Sequence, residues 1–476
     1  MPVASRVTSG IEGLDQILAG GLIEGASYII QGQPGAGKTV LSNQIAFQHM
    51  IGGGRVLYVT LLSESHERLF QALDTMAYFE RDRLGKEIIY VSVFQTLRDD
   101  GLPEVVKLLR GESQRQRATL LVFDGLLNAR DGAATDFDVK SFVAEVQGQA
   151  AFVGCTVLFL TSSSANKISP EHTMVDGVIE LTESLVGVRT VRYLQIRKSR
   201  GSRSLGGLHK FNITDEGVTV YPRLEILRGR CSGTDQPAAG KTRSGLPALD
   251  ALLRGGLPRA SVTLVGGPTG SGKTTLGLHF LSQSSAEEPG LHFGFFETPA
   301  KLRSKADTLG IRLPETGDHA LTLGWRPLAG NILDELAYKL LDQVRSLGIK
   351  RVFIDGLGGF ERAAVYPPRL PEFFSTLMDQ LRMAGVTVLA TWEMREMAGG
   401  EIRAPMSDIS AILDNLILLR QFEENHQLLR SLSIQKVRDS DFDHATRSLT
   451  ISERGLVIGN PLAAGTPPSL LQPVDG

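Results

Sequence analysis

The sequence predicts an α/β fold made twice: two tandem domains, each a mostly parallel twisted sheet flanked by helices. Three observations lead there. The chain matches itself at an offset of 235 residues (244 − 9). Each copy carries a glycine-rich loop between an apolar run and a helical stretch. Around these loops, short apolar runs alternate with helix-like segments, the pattern of a parallel sheet covered on both faces.

The repeat organises the chain. "SGIEGLDQILAGGL" begins at Ser9 and "SGLPALDALLRGGL" at Ser244; "GQPGAGKT" from Gly32 and "GPTGSGKT" from Gly267 keep the same offset. A period this long exceeds any solenoid unit, so whole domains are repeated. The expected division is a first domain over 1–226, a linker over 227–243, a second domain over 244–460 and a loose tail over 461–476. In the linker, "LRGRCSGTDQPAAGKTR" loses periodicity and gains glycine, proline and serine. At 476 residues the chain is too long for one ordinary core and suits two of roughly 200 residues.

Composition excludes several classes. Hydrophobic residues make up 42% and charged residues 21%, a globular balance. A net charge of −2 gives no overall basic field, which weighs against nucleic acid and anionic membrane. The two cysteines, Cys155 and Cys231, suggest neither a disulfide framework nor a zinc site. No apolar run reaches the roughly 18 residues that cross a bilayer, and the start lacks a signal core. A soluble cytoplasmic protein is the plain reading.

Within the first copy "ASYIIQG", "RVLYVTL", "IIYVSV", "TLLVFD" and "TVLFLT" read as buried strands; in the second, "SVTLVGG", "LHFGFFE", "RVFID" and "TVLAT" take those parts. A helix is expected over 38–50, directly after the first glycine-rich loop. Ligands of such sheets sit at the carboxyl ends of the strands.

The two loops are Walker A patterns in their proper context, a strand before and a helix after. Gly32, Gly35 and Gly37, and Gly267, Gly270 and Gly272, let backbone N–H groups wrap phosphates. Lys38 and Lys273 are expected on the β- and γ-phosphates of ATP, and Thr39 and Thr274 on Mg²⁺. Asp124 and Asp355 end apolar strands and are expected to hold the metal's water shell. An aspartate there also suits a capping role.

These motifs resemble the KaiC family of bacterial and archaeal RecA-like ATPases. The resemblance spans about Ser5 to Gly459 and also rests on "FETP" at Phe296, "FNITDEGVTVYP" from Phe211 and "SDISAILDNLILL" from Ser407. It implies two RecA-like P-loop domains, each with two adjacent glutamates after the strand that follows the P-loop helix, one of which positions the attacking water. Here Ser63 and Glu64 stand at the first pair, after a one-residue shift, and Phe296 and Glu297 at the second. Each domain thus keeps only the second glutamate. Glu64 and Glu297 also suit plain solvated positions at a helix start.

The resemblance further implies a Lys-x-Arg pair offered by a neighbouring subunit to the γ-phosphate. Lys198 with Arg200, and Lys436 with Arg438, match it; alternate residues of a strand share a face, so both cations can meet one phosphate. The implied assembly is a homo-oligomer in the form of a hexameric ring, open to regulatory protein partners. The family's adjacent phosphorylated serine and threonine fall here on Ser410 and Ala411, so only one hydroxyl is present. Three functions stay open: a slow Mg-dependent ATPase acting as a switch, with or without serine autokinase activity; an ATP-dependent scaffold without turnover; and a DNA-acting RecA or helicase relative.

Overall fold

The computed structural model describes residues 5–61, 66–125, 136–152, 154–162, 170–227, 239–315, 319–394, 412–424, 426–438 and 440–462. The chain divides into two compact units, Met1–Arg223 and Leu224–Gly476. Each unit holds one nine-stranded sheet of the same strand order.

In the first unit the P-loop strand Ser27–Gly32 lies inside the sheet. Gly177–Val186 flanks it on one side. On the other lie Thr156–Thr161, Leu120–Asp124, Val56–Thr60 and the edge strand Ile88–Ser92. All of these pairings are parallel. Beyond Gly177–Val186 the sheet continues antiparallel through Arg189–Ser199, His209–Thr214 and Gly217–Tyr221.

The second unit repeats this with Val262–Gly267 inside, between Asn415–Glu424 and Thr387–Glu393, then Arg351–Asp355, Gly290–Gly294 and the edge strand Leu321–Trp325. Its antiparallel extension is Gln427–Val437, Arg447–Ser452 and Gly455–Pro461. Every expected strand is present, and the expected first P-loop helix runs Lys38–Ile51.

Successive strand residues point to opposite sides, and in the central parallel strands both sides are buried. Ile29, Leu57, Val59, Leu121 and Phe123 join one core with the helices Leu102–Gln116 and Asp136–Phe152. Tyr28, Ile30, Val56, Tyr58 and Val122 join another, under the P-loop helix and its Leu41 and Ile45. This two-sided burial accounts for the unbroken apolar runs, which lack the alternation of a half-wet strand.

The repeated "SG…LD…GGL" segments are structural. The Ser9 and Ser244 N–H groups donate to the carboxylates of Asp15 and Asp250, at 2.8 Å in both copies. Gly20 and Gly255 then donate to the backbone carbonyls of those same aspartates at 2.7 Å. Leu14 and Leu249 are fully buried beneath these turns.

The last residues of the expected first domain, 224–226, and the first of the expected linker, Leu227, fall in the second compact unit. Within Leu224–Leu227, the Leu224 N–H donates to Asp334 at 3.0 Å, and Arg369 pairs with both Glu225 and Asp334. Near the other end of the expected linker, Lys241–Thr242 pairs with Leu257–Pro258. Residues 228–238 lie outside the described residues.

Two equivalent glycines give a test of this architecture. Gly10 and Gly245 sit at φ +70° and +83°. A Cβ on Gly245 would lie 2.0 Å from the backbone oxygen of His279, whereas one on Gly10 would meet the side chain of Gln48 at 2.4 Å. Neither obstacle can turn aside: the carbonyl is held in its helix, and the Gln48 atom met at 2.4 Å is Cβ, fixed by its own helix backbone. Gly245→Ala and Gly10→Ala are therefore each expected to destabilise their domain by more than the about 1–3 kcal/mol of left-handed strain alone. Urea unfolding of the two variants measures the losses, and a loss within that range in either would contradict it.

Candidate functional site

Each P-loop leaves a central strand and turns into a helix through a left-handed glycine. Gly37 caps Lys38–Ile51 at φ 97°, and Gly272 caps Lys273–Leu281 at φ 103°. The conformation suits glycine, and so does the space. A Cβ on Gly37 would fall 2.5 Å from Ile213, in the antiparallel extension. Gly272 is approached in the same way by Leu456 and Ile451. Gly35, at φ +85°, has nothing within 4 Å of its Cβ position, so the loop's inner side is open for a ligand.

The lysines fold back onto their own loops. Lys38 Nζ donates to the carbonyls of Gly32 and Gln33 at 2.8 and 3.0 Å. Lys273 Nζ donates to Gly267 and Pro268, both at 2.7 Å. Burial lowers the pKa of each; Asp124 opposes this at Lys38, and Glu393 and Asp355 oppose it at Lys273.

Beside each lysine the threonine meets the strand-end aspartate. Thr39 Oγ1 lies 3.1 Å from Asp124, and Thr274 Oγ1 lies 3.1 Å from Asp355. Burial raises the Asp124 pKa, and Thr39, Lys38 and Tyr58 only partly oppose it. Burial pushes Asp355 upward too, but His292, Thr391 and Thr274 outweigh it and leave that carboxyl below its ordinary value. His292 Nε2 stands 4.0 Å from Asp355, too distant for a hydrogen bond. Thr and Asp oxygens at a helix N-terminus form a hard-donor set suited to a divalent cation beside phosphates.

The expected glutamates fare unequally. Glu297 is half-buried and forms a salt bridge with Lys305. Phe296, the other member of its pair, lays its ring against Gly356, the residue after Asp355, with Arg362 stacked 5.9 Å from the ring centre. Ser63 and Glu64 lie outside the described residues, as do Ser410 and Ala411. The sheet register bears on the pair all the same. Thr60 pairs with Asp124 and Gly294 with Asp355, so these two residues occupy equivalent places. Three residues beyond Gly294 is Glu297; three beyond Thr60 is Ser63.

The Lys-x-Arg pairs stand at the end of the strands opposite their own P-loops. Lys198 pairs across with Val178, and Gly177 and Val178 adjoin Tyr28 and Ile29, near the start of the P-loop strand. Lys436 pairs with Leu416, which adjoins Leu264. The lysines donate to nearby carbonyls, Lys198 to His172 at 2.8 Å and Lys436 to Leu413 at 2.9 Å.

Asp176 and Asp414 fix these corners. The carboxylate of Asp176 accepts from Ser27 N–H at 3.0 Å, and that of Asp414 accepts from Val262 N–H at 2.8 Å. Their backbone oxygens accept from Arg200 and Arg438 N–H at 2.8 and 2.9 Å. The distance from this corner to the P-loop is about five strand steps, about 17 Å.

Sequence reasoning missed Asp176 and Asp414, although "VDGVIEL" and "LDNLILL" repeat an aspartate before an apolar strand. It also missed Tyr58, Thr391 and His292 around the strand-end aspartates. Glu393, whose carboxylate accepts from Thr269 in the second loop, was missed as well. No local motif marks these residues.

Comparison with known proteins agrees with this geometry. The sequence model of the KaiC ATPase family matches residues 7–225 and 242–463. The circadian clock oscillator protein KaiC of Synechococcus elongatus is 24% identical over 467 residues, covering 95% of this chain and 88% of that protein. KaiC 1 of Synechocystis sp. is 25% identical over 475 residues, covering 94% of this chain and 88% of that protein. With a complete phosphate cradle in each matched region, the chain belongs to the KaiC family of ATPases.

Proposed function

We propose that this protein is an oligomeric, Mg-dependent ATPase of slow turnover that works as an ATP-driven switch, a soluble cytoplasmic ring of six copies open to regulatory protein partners. The observation that carries the reading is the paired geometry of cradle and cation. Each domain has a complete phosphate loop at one end of its central strands and a Lys-x-Arg corner at the other end. A side chain of Lys198 or Arg200 cannot span about 17 Å to its own loop, so a γ-phosphate it touches belongs to another copy. A cation supplied in this way offsets charge that develops during phosphoryl transfer.

The oxygen donors Thr39 with Asp124, and Thr274 with Asp355, fit Mg²⁺, which favours oxygen ligands and a phosphate partner. Bound there, the ion supplies charge neutralisation between the β- and γ-phosphates. The backbone of the loop orients the phosphates, the lysine binds their outer oxygens, and Glu297 or Glu64 orients water and takes its proton. A serine autokinase step at Ser410 is the finer part of this reading. The salt bridge of Glu297 to Lys305 favours a second reading, ATP held as a scaffold with little turnover, because the carboxylate is engaged by an ammonium of its own domain rather than left to orient a water.

Incubation with γ-labelled ATP separates these readings. Free labelled phosphate marks an ATPase, labelled protein an autokinase, and intact bound ATP a scaffold. In the same preparation, Lys38→Ala and Lys273→Ala should each remove about one nucleotide equivalent per chain. Two equivalents retained in the double variant would overturn both assignments.

Glu297→Gln removes the proton acceptor with little change in volume. It should slow phosphate release from the second site by about 10²–10⁴-fold while ATP stays bound. An unchanged rate in the Lys38→Ala background would assign the water to another group, with Glu393 the next candidate.

Shared sites predict complementation. Subunits carrying Lys273→Ala, mixed with subunits carrying Lys436→Ala and Arg438→Ala, should regain part of the second-site turnover that neither has alone. A mixture that stays inactive, with a wild type that stays monomeric in ATP, would refute the ring.

A further inference from the structure

The two metal-side aspartates are held by different hydroxyls, on different sides. In the first unit Tyr58, fully buried, has its hydroxyl 3.4 Å from Asp124 Oδ2. An ionised carboxylate cannot donate, so in that contact the phenol does. The same hydroxyl meets Ser42 Oγ at 2.9 Å and accepts from Asn43 Nδ2 at 3.1 Å. The orientation of Asn43 is settled by its other bonds. Its nitrogen also lies 2.7 Å from the Thr39 carbonyl, which only accepts, so its oxygen faces Tyr90, whose phenol donates to it. A buried line thus runs from Tyr90 on the edge strand through Asn43 and Tyr58 to Asp124. The two tyrosine rings stack along it at 4.8 Å.

The second unit has none of this line. By sheet register and P-loop offset, Tyr58, Asn43, Ser42 and Tyr90 correspond to His292, Leu278, Gly277 and Leu323. His292 Nδ1 is 2.9 Å from the Gly324 carbonyl, to which only a nitrogen can donate, and its Nε2 has no hydrogen-bond partner. Asp355 is held instead from the opposite neighbouring strand. Thr391 Oγ1 lies 2.9 Å from Asp355 Oδ1 and accepts from Gly356 N–H at 2.8 Å, which leaves its proton for the carboxylate. The first unit puts Leu160 in that place, since Asp124 pairs with Leu160 just as the neighbouring Ile354 pairs with Ala390. Each site therefore has one supporting hydroxyl where the other has a residue that cannot play that part.

We propose that Tyr58 and Thr391 are site-specific positioning residues, each orienting the aspartate of its own site toward the divalent cation, so that the two sites have separately set metal requirements. The inference rests on the reading of Asp124 and Asp355 as the metal-side carboxylates. Groups that orient a carboxylate in this way typically carry a tenfold or larger effect on metal affinity.

The test is a Mg²⁺ titration of the binding of a fluorescent, non-hydrolysable ATP analogue. The Lys273→Ala protein reports the first site and the Lys38→Ala protein the second. Tyr58→Phe should raise the Mg²⁺ midpoint of the first site by about tenfold and leave the second unchanged. Thr391→Val should do the reverse, and binding without Mg²⁺ should be unaltered in both. Tyr90→Phe, which frees Asn43 without touching the site, should shift the first site in the same direction by less. If Tyr58→Phe does not fold, the crossed comparison of Tyr90→Phe and Thr391→Val still decides. Midpoints within twofold of the parents, or variants that move both sites alike, overturn the proposal. Analogue binding that ignores Mg²⁺ in the two parent proteins would instead remove the metal assignment beneath it.

Discussion

Each domain ties a P-loop ammonium, buried at Lys38 and half-buried at Lys273, to the carbonyls that begin its own loop. An ammonium loses hydration when a sheet and a helix close over it, and that loss must be offset by partners. The two carbonyls at Lys38 and the two at Lys273 supply them. They exist only because the central strand ends at Gly32 or Gly267 and the chain doubles back through a left-handed glycine. The sheet order puts that strand inside the sheet, so its end opens onto a dry floor with an aspartate from a nearby strand at hand.

The parts legible in the sequence are those in which function is written within a few residues. The glycine-rich loops are an example: strand, glycines, lysine, threonine and helix fall within one short stretch, and the structure builds the strand, the left-handed glycine turn and the helix in that order. The strands were legible for a related reason, since burial on both faces leaves an unbroken apolar run. Residues that act across the sheet were not legible. Tyr58 reaches Asp124 and Thr391 reaches Asp355 only once the strand register is known. The same is true of Asp176 at Ser27 and Asp414 at Val262, each joined over a long sequence separation. The alignment of the first glutamate was blurred for another reason. Counting from Thr60 and from Gly294, the strands agree but the residues after them do not, and Glu64 stands one step beyond the place that Glu297 holds.

The duplication kept scaffold and changed detail. The serine–aspartate turns before the loops have equal bond lengths in the two copies, as do the glycine bonds that follow them. The helix-to-hairpin contact kept its place but changed chemistry: Gln44 exchanges two hydrogen bonds with Val218, while His279 accepts a single one from Leu456. Around the aspartates the polar groups were redistributed, a phenol line in one copy and a threonine with an imidazole in the other. Backbone geometry holds the common function, and side chains behind it make the two sites unlike.

The floor of each phosphate loop comes from the far end of its own domain. Ile213 lies under Gly37, and Ile451 and Leu456 lie under Gly272. The loop is therefore made early in synthesis and completed late. While the first domain is still emerging from the ribosome, its lysine and glycines are present but the hairpin that closes them is not. In a nascent domain of this chain the packing beneath the loop is complete only when the last strands arrive. A fragment that stops at the parallel strands has the signature of the loop without its footing.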